Sequence, residues 1–323
     1  MSLVLVGIAA ISGLASAALM LALGAGSTVA VVLFLFSPLP LLVAGLGWGH
    51  RAAGIGALVG TAALGAAAGW AGARGYVLAA GLPGWWLSFV ALHGRPHRDD
   101  PAAKDWAGPG QLVLWAAALG ALLVIATIPF IGTTLDAYRG ALGQGLENFL
   151  RAETGTPAAA PLVLPGGENV ADFVDFFAVL LPPFGAASWM LVLLLDLWIA
   201  ARLARASGQL ARPWPAIPAL RLPIYALPAL VIAAGLSFAP GLASVAGQVV
   251  AAVLVVALAI VGLAVIHAGT RGSRGRVLVL IGVYLMLFVQ AWTGLLLALL
   301  GLVEQTIGLR RRLAPPGGPQ RRP

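Results

Sequence analysis

The chain has 323 residues, of which 60% are hydrophobic and only 9% are charged. Soluble domains carry about 25% charged residues, so most of these side chains cannot face water. The chain has no cysteine, which excludes disulfides, thiolate metal ligands and cysteine nucleophiles. The net charge of +8 does not indicate nucleic-acid binding, because the basic residues stand at the ends of apolar runs and in short loops, as positive-inside topology signals do.

Long apolar runs follow one another along the chain. The first, residues 3–24, has no charged residue. A run of about 18 or more apolar residues predicts a transmembrane helix, because the hydrocarbon core is about 30 Å thick and a helix rises about 1.5 Å per residue. Continuous runs favour helices over a membrane barrel, whose strands alternate over about 10 residues. We therefore predict an all-α polytopic integral membrane protein with about eight or nine transmembrane helices.

Proline and glycine interrupt several of the predicted spans. Breaks are expected at Pro38 and Pro40, at residues 81–84 and at Pro182–Pro183, because proline removes a backbone donor and clashes with the preceding turn. The predicted spans in chain order are residues 3–23, 28–47, 52–73, 76–92, 111–131, 184–204, 222–239, 242–267 and 277–302.

The domain organisation predicted is one transmembrane domain over residues 1–309, followed by a disordered basic tail over 310–323. Residues 132–169 hold four acidic and two basic residues, whereas the connector 202–221 holds four arginines and no acid. The positive-inside rule places residues 132–169 outside as an extracytoplasmic loop and the connector in the cytoplasm.

The same rule puts loops 93–110 and 269–276 in the cytoplasm, and a short surface helix is expected over 133–150. It conflicts with the basic tail, which ends outside if the last span crosses fully. Either the rule fails there, or residues 277–309 form a broken or re-entrant hairpin around Trp292-Thr293-Gly294; we favour the hairpin, since a straight helix of that length would overshoot the bilayer.

The start and the overall bias of the sequence bear on location. Residues 1–20 lack the basic region of a signal peptide, so a retained first helix is expected. Alanine, glycine and arginine are abundant and Lys104 is the only lysine, a bias typical of GC-rich bacterial genomes. We therefore predict a multi-pass protein of the bacterial inner membrane, with the lipid bilayer as its first partner.

Two stripes of small residues indicate close helix packing, since membrane helices approach through small side chains. We interpret them as contacts within the chain, with docking onto a separate membrane subunit as the alternative. The stripes are Ala9, Gly13 and Ala17 in the first span, and Ala57, Thr61, Gly65, Gly69 and Ala73 in the third.

The candidate substrate-binding residues are polar or aromatic groups at membrane depth. Asp196 is the only acidic residue inside residues 184–204, and an ionisable group in a span normally faces a partner or a cavity. Trp189 lies seven residues earlier, on roughly the same helix face. Gln248, Gln290 and Trp292 complete the set. A buried structural aspartate and ordinary interhelical hydrogen bonds remain the alternative interpretations.

No catalytic constellation is present in the sequence. There is no P-loop, HExxH or GxSxG motif, and the four histidines lack metal-ligand spacing. We predict a protein that is not an enzyme and that has no cofactor and no metal site.

Two C-terminal segments and one central segment carry a resemblance to a known family. Residues 260–267, the Gly-Leu-acid sequence 301–304 before the arginines at 310–312, and the Trp189 region with residues 212–215 resemble the YybS-like predicted membrane proteins of bacteria. That family is distantly similar to the S components of energy-coupling-factor transporters.

The resemblance implies a small helical membrane subunit that captures a vitamin or metal ion from outside. S components dock on a membrane coupling subunit driven by separate ATPases, so these would be the partners, and the substrate is not named by the sequence. S components have about six helices, fewer than this chain. A non-transporting membrane scaffold that docks partner proteins is the alternative function.

Overall fold

The computed structural model describes residues 3–96, 104–157, 160, 162, 170–215 and 220–310. Apart from one two-stranded ribbon, the regular structure of these residues is helical. Six helical stretches among them are long and apolar enough to cross a membrane. The prediction of an all-α membrane protein is therefore confirmed by the helical structure and by the length and composition of these stretches. The six stretches are Leu3–Ala25, Thr28–Trp48, His50–Leu92, Pro109–Ile131, Val170–Ala206 and Leu242–Gly269.

Twelve α-helices and two strands are assigned within the described residues. The helices are α1 Leu3–Leu21, α2 Thr28–Leu35, α3 Leu39–Trp48, α4 His50–Tyr76, α5 Leu82–Leu92, α6 Pro109–Ile131, α7 Leu135–Thr154, α8 Val170–Ala206, α9 Ala226–Leu236, α10 Leu242–Gly269, α11 Arg276–Val289 and α12 Thr293–Ile307; the strands are β1 Gly94–Pro96 and β2 Lys104–Trp106.

The chain forms two compact units. The first lies within Met1–Ala116, Leu193–Ala226 and Leu254–Pro323, and the second within Ala117–Val192 and Leu227–Val253. Each is described by itself below.

In the first unit, α1 crosses α4 where two glycines meet. A Cβ on Gly13 would lie 2.2 Å from the Gly56 carbonyl oxygen, and a Cβ on Gly56 would lie 2.8 Å from the Ala9 carbonyl oxygen. Ala9 and Ala17 are buried beside this crossing. The stripe of the first span therefore makes a contact within the chain, as membrane helices with small faces do.

Helix α4 is a tight hairpin, not one straight rod. Ala68 and Gly69 leave helical geometry, and Gly69 has a φ of +66°, a value that glycine adopts without a Cβ penalty. Beyond this turn, the Tyr76 side chain packs over Gly60, while Ala73 lies beside Gly65. The stripe from Ala57 to Ala73 therefore packs mainly within the hairpin, between its two arms. The predicted spans 52–73 and 76–92 are both helical, but their turn comes at 68–69.

Of the three helix breaks predicted at prolines and glycines, the structure has one and lacks two. The break at Pro38 is present between α2 and α3, and Ser37 and Pro38 are buried against protein. The chain does not break at residues 81–84: it passes through a π-helical turn, Val77–Gly81, into α5, whose second residue is Pro83. A π-turn shifts the hydrogen-bond register, which removes the conflict with the proline ring.

The predicted break at Pro182–Pro183 is wrong, because α8 continues through both prolines. The predicted span 184–204 is the second part of this 37-residue helix. Membrane helices tolerate proline where neighbouring groups satisfy the freed carbonyls.

In the second unit, α6 packs on α8 and α7 packs on the start of α8. A Cβ on Gly120 would lie 2.5 Å from the Ala186 carbonyl oxygen. The expected surface helix is present as α7, which begins with Thr134 Oγ1 accepting from the Ala137 amide at 3.2 Å.

The C-terminal segment is broken, as expected, at Gln290–Trp292 between α11 and α12. In the first unit α12 crosses α10 at Gly262 and Gly301, where a Cβ on either glycine would lie 1.9 Å from a carbonyl oxygen of the other helix. Such contact brings two backbones together without intervening side chains. The predicted tail, residues 311–323, lies outside the described residues; Arg310 is described and is bound by Glu304.

Candidate functional site

Asp196 is fully buried in the part of α8 that belongs to the first unit. Neither carboxyl oxygen has a hydrogen-bond partner among the described residues. An ionised carboxylate without a counter-charge is costly in an apolar interior, so a proton or a bound cation accompanies this group. The described residues contain no group of three or more acidic or histidine side chains able to hold a metal ion. Asp196 faces the protein interior, as predicted.

Asp196 lies in the first unit, and of the other four predicted site residues two lie in each unit. Trp189 is buried and Gln248 is half-buried, and both belong to the second unit. Gln290 and Trp292 meet each other at the break between α11 and α12, where Trp292 Nε1 donates to Gln290 Oε1. Trp292 is 51% exposed. None of the three pockets discussed below is lined by any of these five residues.

A cavity in the first unit lies elsewhere, at the end of α5. It has a volume of about 500 Å³, within the range of about 300–1,000 Å³ that small-molecule sites occupy. We call it the aromatic pocket. It is lined by Trp86, Phe89, Val90, His93, Arg95, Pro96, Asp105, Trp106, Ala107, Gln111 and Trp115.

Helix α5 supplies one wall of the aromatic pocket. Trp86, Phe89 and His93 recur at three- and four-residue spacing and therefore share a helix face. Trp86 and Phe89 have ring centroids 5.5 Å apart, and Phe89 and His93 lie 5.3 Å apart. Trp115 of α6 meets Trp86 edge to face at 4.9 Å. These contacts give the wall a defined shape, since aromatic pairs prefer such geometries.

The ribbon of β1 and β2 lines one side of the aromatic pocket. Its register places Gly94 opposite Trp106 and Arg95 opposite Asp105. A Cβ on Gly94 would lie 3.1 Å from the Trp106 ring, so the absence of a side chain there lets the indole approach the strand closely. Opposite charges directly across a ladder stabilise this register.

Arg212 holds the ribbon region against the helices. It is 6% exposed, and it donates from Nη1 to the Ala91 carbonyl at 2.7 Å and from Nη2 to the Ala107 carbonyl at 3.1 Å. Its guanidinium lies 5.6 Å from the centre of the Trp106 ring and 5.8 Å from that of Trp214. Burial lowers the pKa of Arg212. The guanidinium nevertheless stays protonated at neutral pH, because the ordinary pKa of arginine is so high.

The aromatic pocket combines ring faces with convergent polar groups. Trp86 contributes its ring face alone, because its Nε1 is inaccessible to solvent and has no hydrogen-bond partner among the described residues. Gln111, His93 and the Arg95–Asp105 pair add donors and acceptors at the same cavity. A flat molecule of modest size, stacked on the indoles and hydrogen-bonded at its edge, suits this arrangement.

Sequence reasoning missed the aromatic pocket. The signal available was the three- and four-residue spacing of Trp86, Phe89 and His93 at the end of a predicted span. Aromatic residues there read as an interfacial belt, which is their commonest use at membrane surfaces. The contribution of Arg212, more than a hundred residues away, had no local signal.

Glu304 is a second buried acid, and its environment is the opposite of that of Asp196. It accepts from Arg221 Nη2 at 3.0 Å and from Arg310 Nε at 2.9 Å, and its other oxygen accepts from the Arg310 amide at 3.0 Å. The neighbouring Gln305 exchanges two hydrogen bonds with the backbone of Leu222. This cluster fastens the end of α12 to the connector, and it leaves the carboxylate saturated.

A second pocket, of about 600 Å³, lies in the second unit between α7 and the start of α8. Its charged lining is partly self-paired, because Arg151 Nη2 lies 2.7 Å from Glu147 Oε1. Arg151 Nη1 also donates to the carbonyls of Pro157 and Ala160. These contacts hold the chain that follows α7, so we regard the arginine as structural.

The sequence and the structure were compared with known proteins. No family model, no curated protein and no solved structure matches this chain.

Proposed function

We propose that this protein is a substrate-binding or transport-associated subunit of the bacterial inner membrane, similar in role to an S component. The observation that carries the proposal is the aromatic pocket, with its four large aromatic side chains beside the polar groups of Gln111, His93 and Arg95. Clefts that combine apolar and aromatic walls with a few polar groups are the usual form of a small-molecule site. The ligand class that fits is a flat heteroaromatic compound.

The topology we propose has eight crossings and one re-entrant hairpin. The two arms of α4–α5 each cross, as do α1, α2–α3, α6, α8, the segment around α9, and α10. Helix α9 has only 11 residues, but the apolar run of residues 222–239 extends beyond both of its ends, so we count that run as a crossing. Helices α11 and α12 have 14 and 15 residues, about 21 and 22 Å, and Arg276 and Gln290 bound the apolar run of α11, so each is too short for a core of about 30 Å.

Contacts at the two ends of the hairpin support its return to one face. The start of α11 is tied to the end of α10, where Arg276 Nη1 donates to the His267 carbonyl at 2.9 Å. The end of α12 is tied to the connector through Glu304 and Arg221. Both attachment points belong to arginine-rich loops, which the positive-inside rule assigns to the cytoplasm. This topology places the basic tail in the cytoplasm and removes the conflict found in the sequence.

In this topology the aromatic pocket opens at the cytoplasmic end of the helices. It would then hold the ligand on the release side of a transport cycle, and capture from outside would require a second conformation. Separate ATPases and a membrane coupling subunit would drive that change.

Binding is tested by thermal melting of the purified protein in detergent. Riboflavin and thiamine serve as flat heteroaromatic probes, and choline serves as a non-aromatic cation. A ligand present at about 100 times its Kd raises the free energy of unfolding by about 2.7 kcal/mol. Replacing Trp115 with Ala should abolish the effect of a heteroaromatic probe, whereas Trp70→Ala, outside the pocket, should leave it intact. A response to choline alone would contradict the ligand class.

The alternative function, a partner-docking scaffold, draws support from the backbone contacts at Gly13–Gly56 and Gly262–Gly301, which indicate rigid packing. Affinity capture of the native protein separates the two functions. Recovery of ATPases together with a membrane coupling subunit would favour transport. Recovery of cytoplasmic proteins without them would favour the scaffold.

A further inference from the structure

An apolar groove runs between the two arms of the α4–α5 hairpin, apart from the aromatic pocket. Its volume is about 510 Å³. We call it the hairpin groove. It is lined by Arg51, Gly54, Ile55, Ala57, Leu58, Thr61, Val77, Gly81, Leu82 and Trp85.

The hairpin groove exists because its floor is made of small residues. Gly54, Ala57 and Thr61 share one face of the first arm. On the second arm, the π-turn brings Gly81 opposite Ala57, where a Cβ would lie 3.5 Å from the alanine methyl. The Thr61 hydroxyl donates to the Ala57 carbonyl at 2.7 Å, so it offers no donor to the groove. The floor is therefore apolar over about two helical turns.

One end of the hairpin groove carries a charge. Arg51 is exposed at the second position of α4, and its side chain makes no hydrogen bond or ion pair within the described residues. Its end of the hairpin is the one that faces the connector, because Gly47, four residues earlier, lies beside Gln209. Trp85 flanks the same end of the groove, and tryptophan is enriched at the level of lipid headgroups.

We propose that the hairpin groove binds one anionic phospholipid, with an acyl chain along the floor and the phosphate at Arg51. The apolar floor suits only hydrocarbon, and the unpaired guanidinium at its mouth is complementary to a phosphate, to which arginine can bind through two donors at once. Basic positions at the cytoplasmic ends of membrane helices are established headgroup sites in general. A partner helix or a second copy would need an acidic residue at the level of Arg51, whereas an anionic phospholipid supplies the hydrocarbon and the counter-charge in one molecule.

Native mass spectrometry of the full chain tests the proposal. The probes are phosphatidylglycerol and phosphatidylcholine with identical acyl chains. We expect one phosphatidylglycerol to bind more tightly than phosphatidylcholine, and Arg51→Gln to weaken it by about fivefold, the contribution of one basic side chain near an anionic headgroup. Arg51→Lys should retain the preference for phosphatidylglycerol. Arg271→Gln, an equal loss of charge in a loop outside the groove, should have no effect.

A second variant tests the floor. Thr61→Phe fills the groove and should reduce binding of both lipids while Arg51 is intact. Equal losses with Arg51→Gln and Arg271→Gln would overturn the proposal in favour of general charge attraction. A dimer of the wild-type chain that dissociates in Thr61→Phe would also overturn it, since a second copy would then occupy the groove. These outcomes are independent of ligand binding in the aromatic pocket.

Discussion

The Tyr76 hydroxyl donates a hydrogen bond of 2.9 Å to Ser16 Oγ, and the Ser16 hydroxyl donates in turn to the Ser37 carbonyl at 2.6 Å. Ser37 precedes Pro38, and its carbonyl is accessible because the helix breaks there. Three segments distant in sequence are thereby joined at one buried point. An unsatisfied carbonyl in an apolar interior costs several kcal/mol, so this relay makes the break tolerable.

Loss of the tyrosine hydroxyl should weaken the first unit measurably. We expect Tyr76→Phe to lower the free energy of unfolding by about 1 kcal/mol. Gly60→Ala should cost more, about 1–3 kcal/mol, because the added Cβ would lie 2.1 Å from the tyrosine hydroxyl. Gly65→Ala, whose Cβ would meet Ala73 at an ordinary 3.5 Å, is the matched control and should be neutral or stabilising. Thermal melts in detergent measure all three.

The crossing of α10 and α12 should not tolerate a side chain. Gly262→Ala and Gly301→Ala each place a Cβ against a backbone carbonyl, which cannot move aside alone, so we expect losses of about 1–3 kcal/mol. The double variant should cost less than the sum, since both act on one contact. Gly282→Ala in α11 has open space around it and should be neutral or stabilising. A loss at Gly282 equal to that at Gly262 would contradict this account.

Glu304 should contribute far more to the free energy of unfolding than an exposed acidic residue does. Glu304→Gln leaves Arg221 and Arg310 without their shared counter-charge, and breaking a buried pair costs about 3–5 kcal/mol. The exposure of Arg221 places the expected loss at the lower end of that range. Glu147→Gln removes an i,i+4 pair at the surface and should cost about 0.5 kcal/mol or less. Chemical denaturation of the purified variants compares them.

Substitutions at Asp196 distinguish a structural role of its carboxyl group from a functional one. We expect Asp196→Asn and Asp196→Leu to retain normal abundance, because replacing a buried polar group that has no partner by one of similar shape is often neutral or stabilising. Asp172→Asn, at an exposed position of the same helix, is the control. Transport lost in Asp196→Asn at normal abundance would assign the group a proton- or cation-binding role. A fall in stability when sodium is removed from the wild type, absent in Asp196→Asn, would identify a cation.

The proposed topology is open to direct labelling because the chain has no native cysteine. Single cysteines at Gln209 and Ser273 should react with a membrane-impermeant maleimide only from the cytoplasmic side. A cysteine at Thr156, just after α7, should react only from outside. A cysteine at Gly308 reports on the hairpin: cytoplasmic labelling agrees with a re-entrant segment, whereas labelling from outside would require a full crossing of residues 277–307.

The apolar spans could be predicted from the sequence, but the positions of some turns and breaks within them could not. The spans were predictable because the transfer of apolar side chains into lipid depends on local composition, and the break before Trp292 followed from length. The turn at Gly69 was placed about five residues late, because each of several glycines in that run permits a positive φ. Pro182 and Pro183 predict a break from the sequence, but α8 continues through both. The sequence does not show whether neighbouring groups satisfy the carbonyls that the prolines leave free.

The sequence by itself determined the helical class, the membrane as solvent and the isolation of Asp196 in an apolar run. Tertiary structure alone decided that Arg212 binds the carbonyls of Ala91 and Ala107 and that Trp86, Trp106 and Trp115 line one cavity. It also decided that Glu304 is paired, whereas Asp196 has no partner among the described residues. Hydrophobicity adds up residue by residue along the chain. A hydrogen bond or a cavity depends on positions within a few ångströms between residues that the sequence separates by tens or hundreds of places.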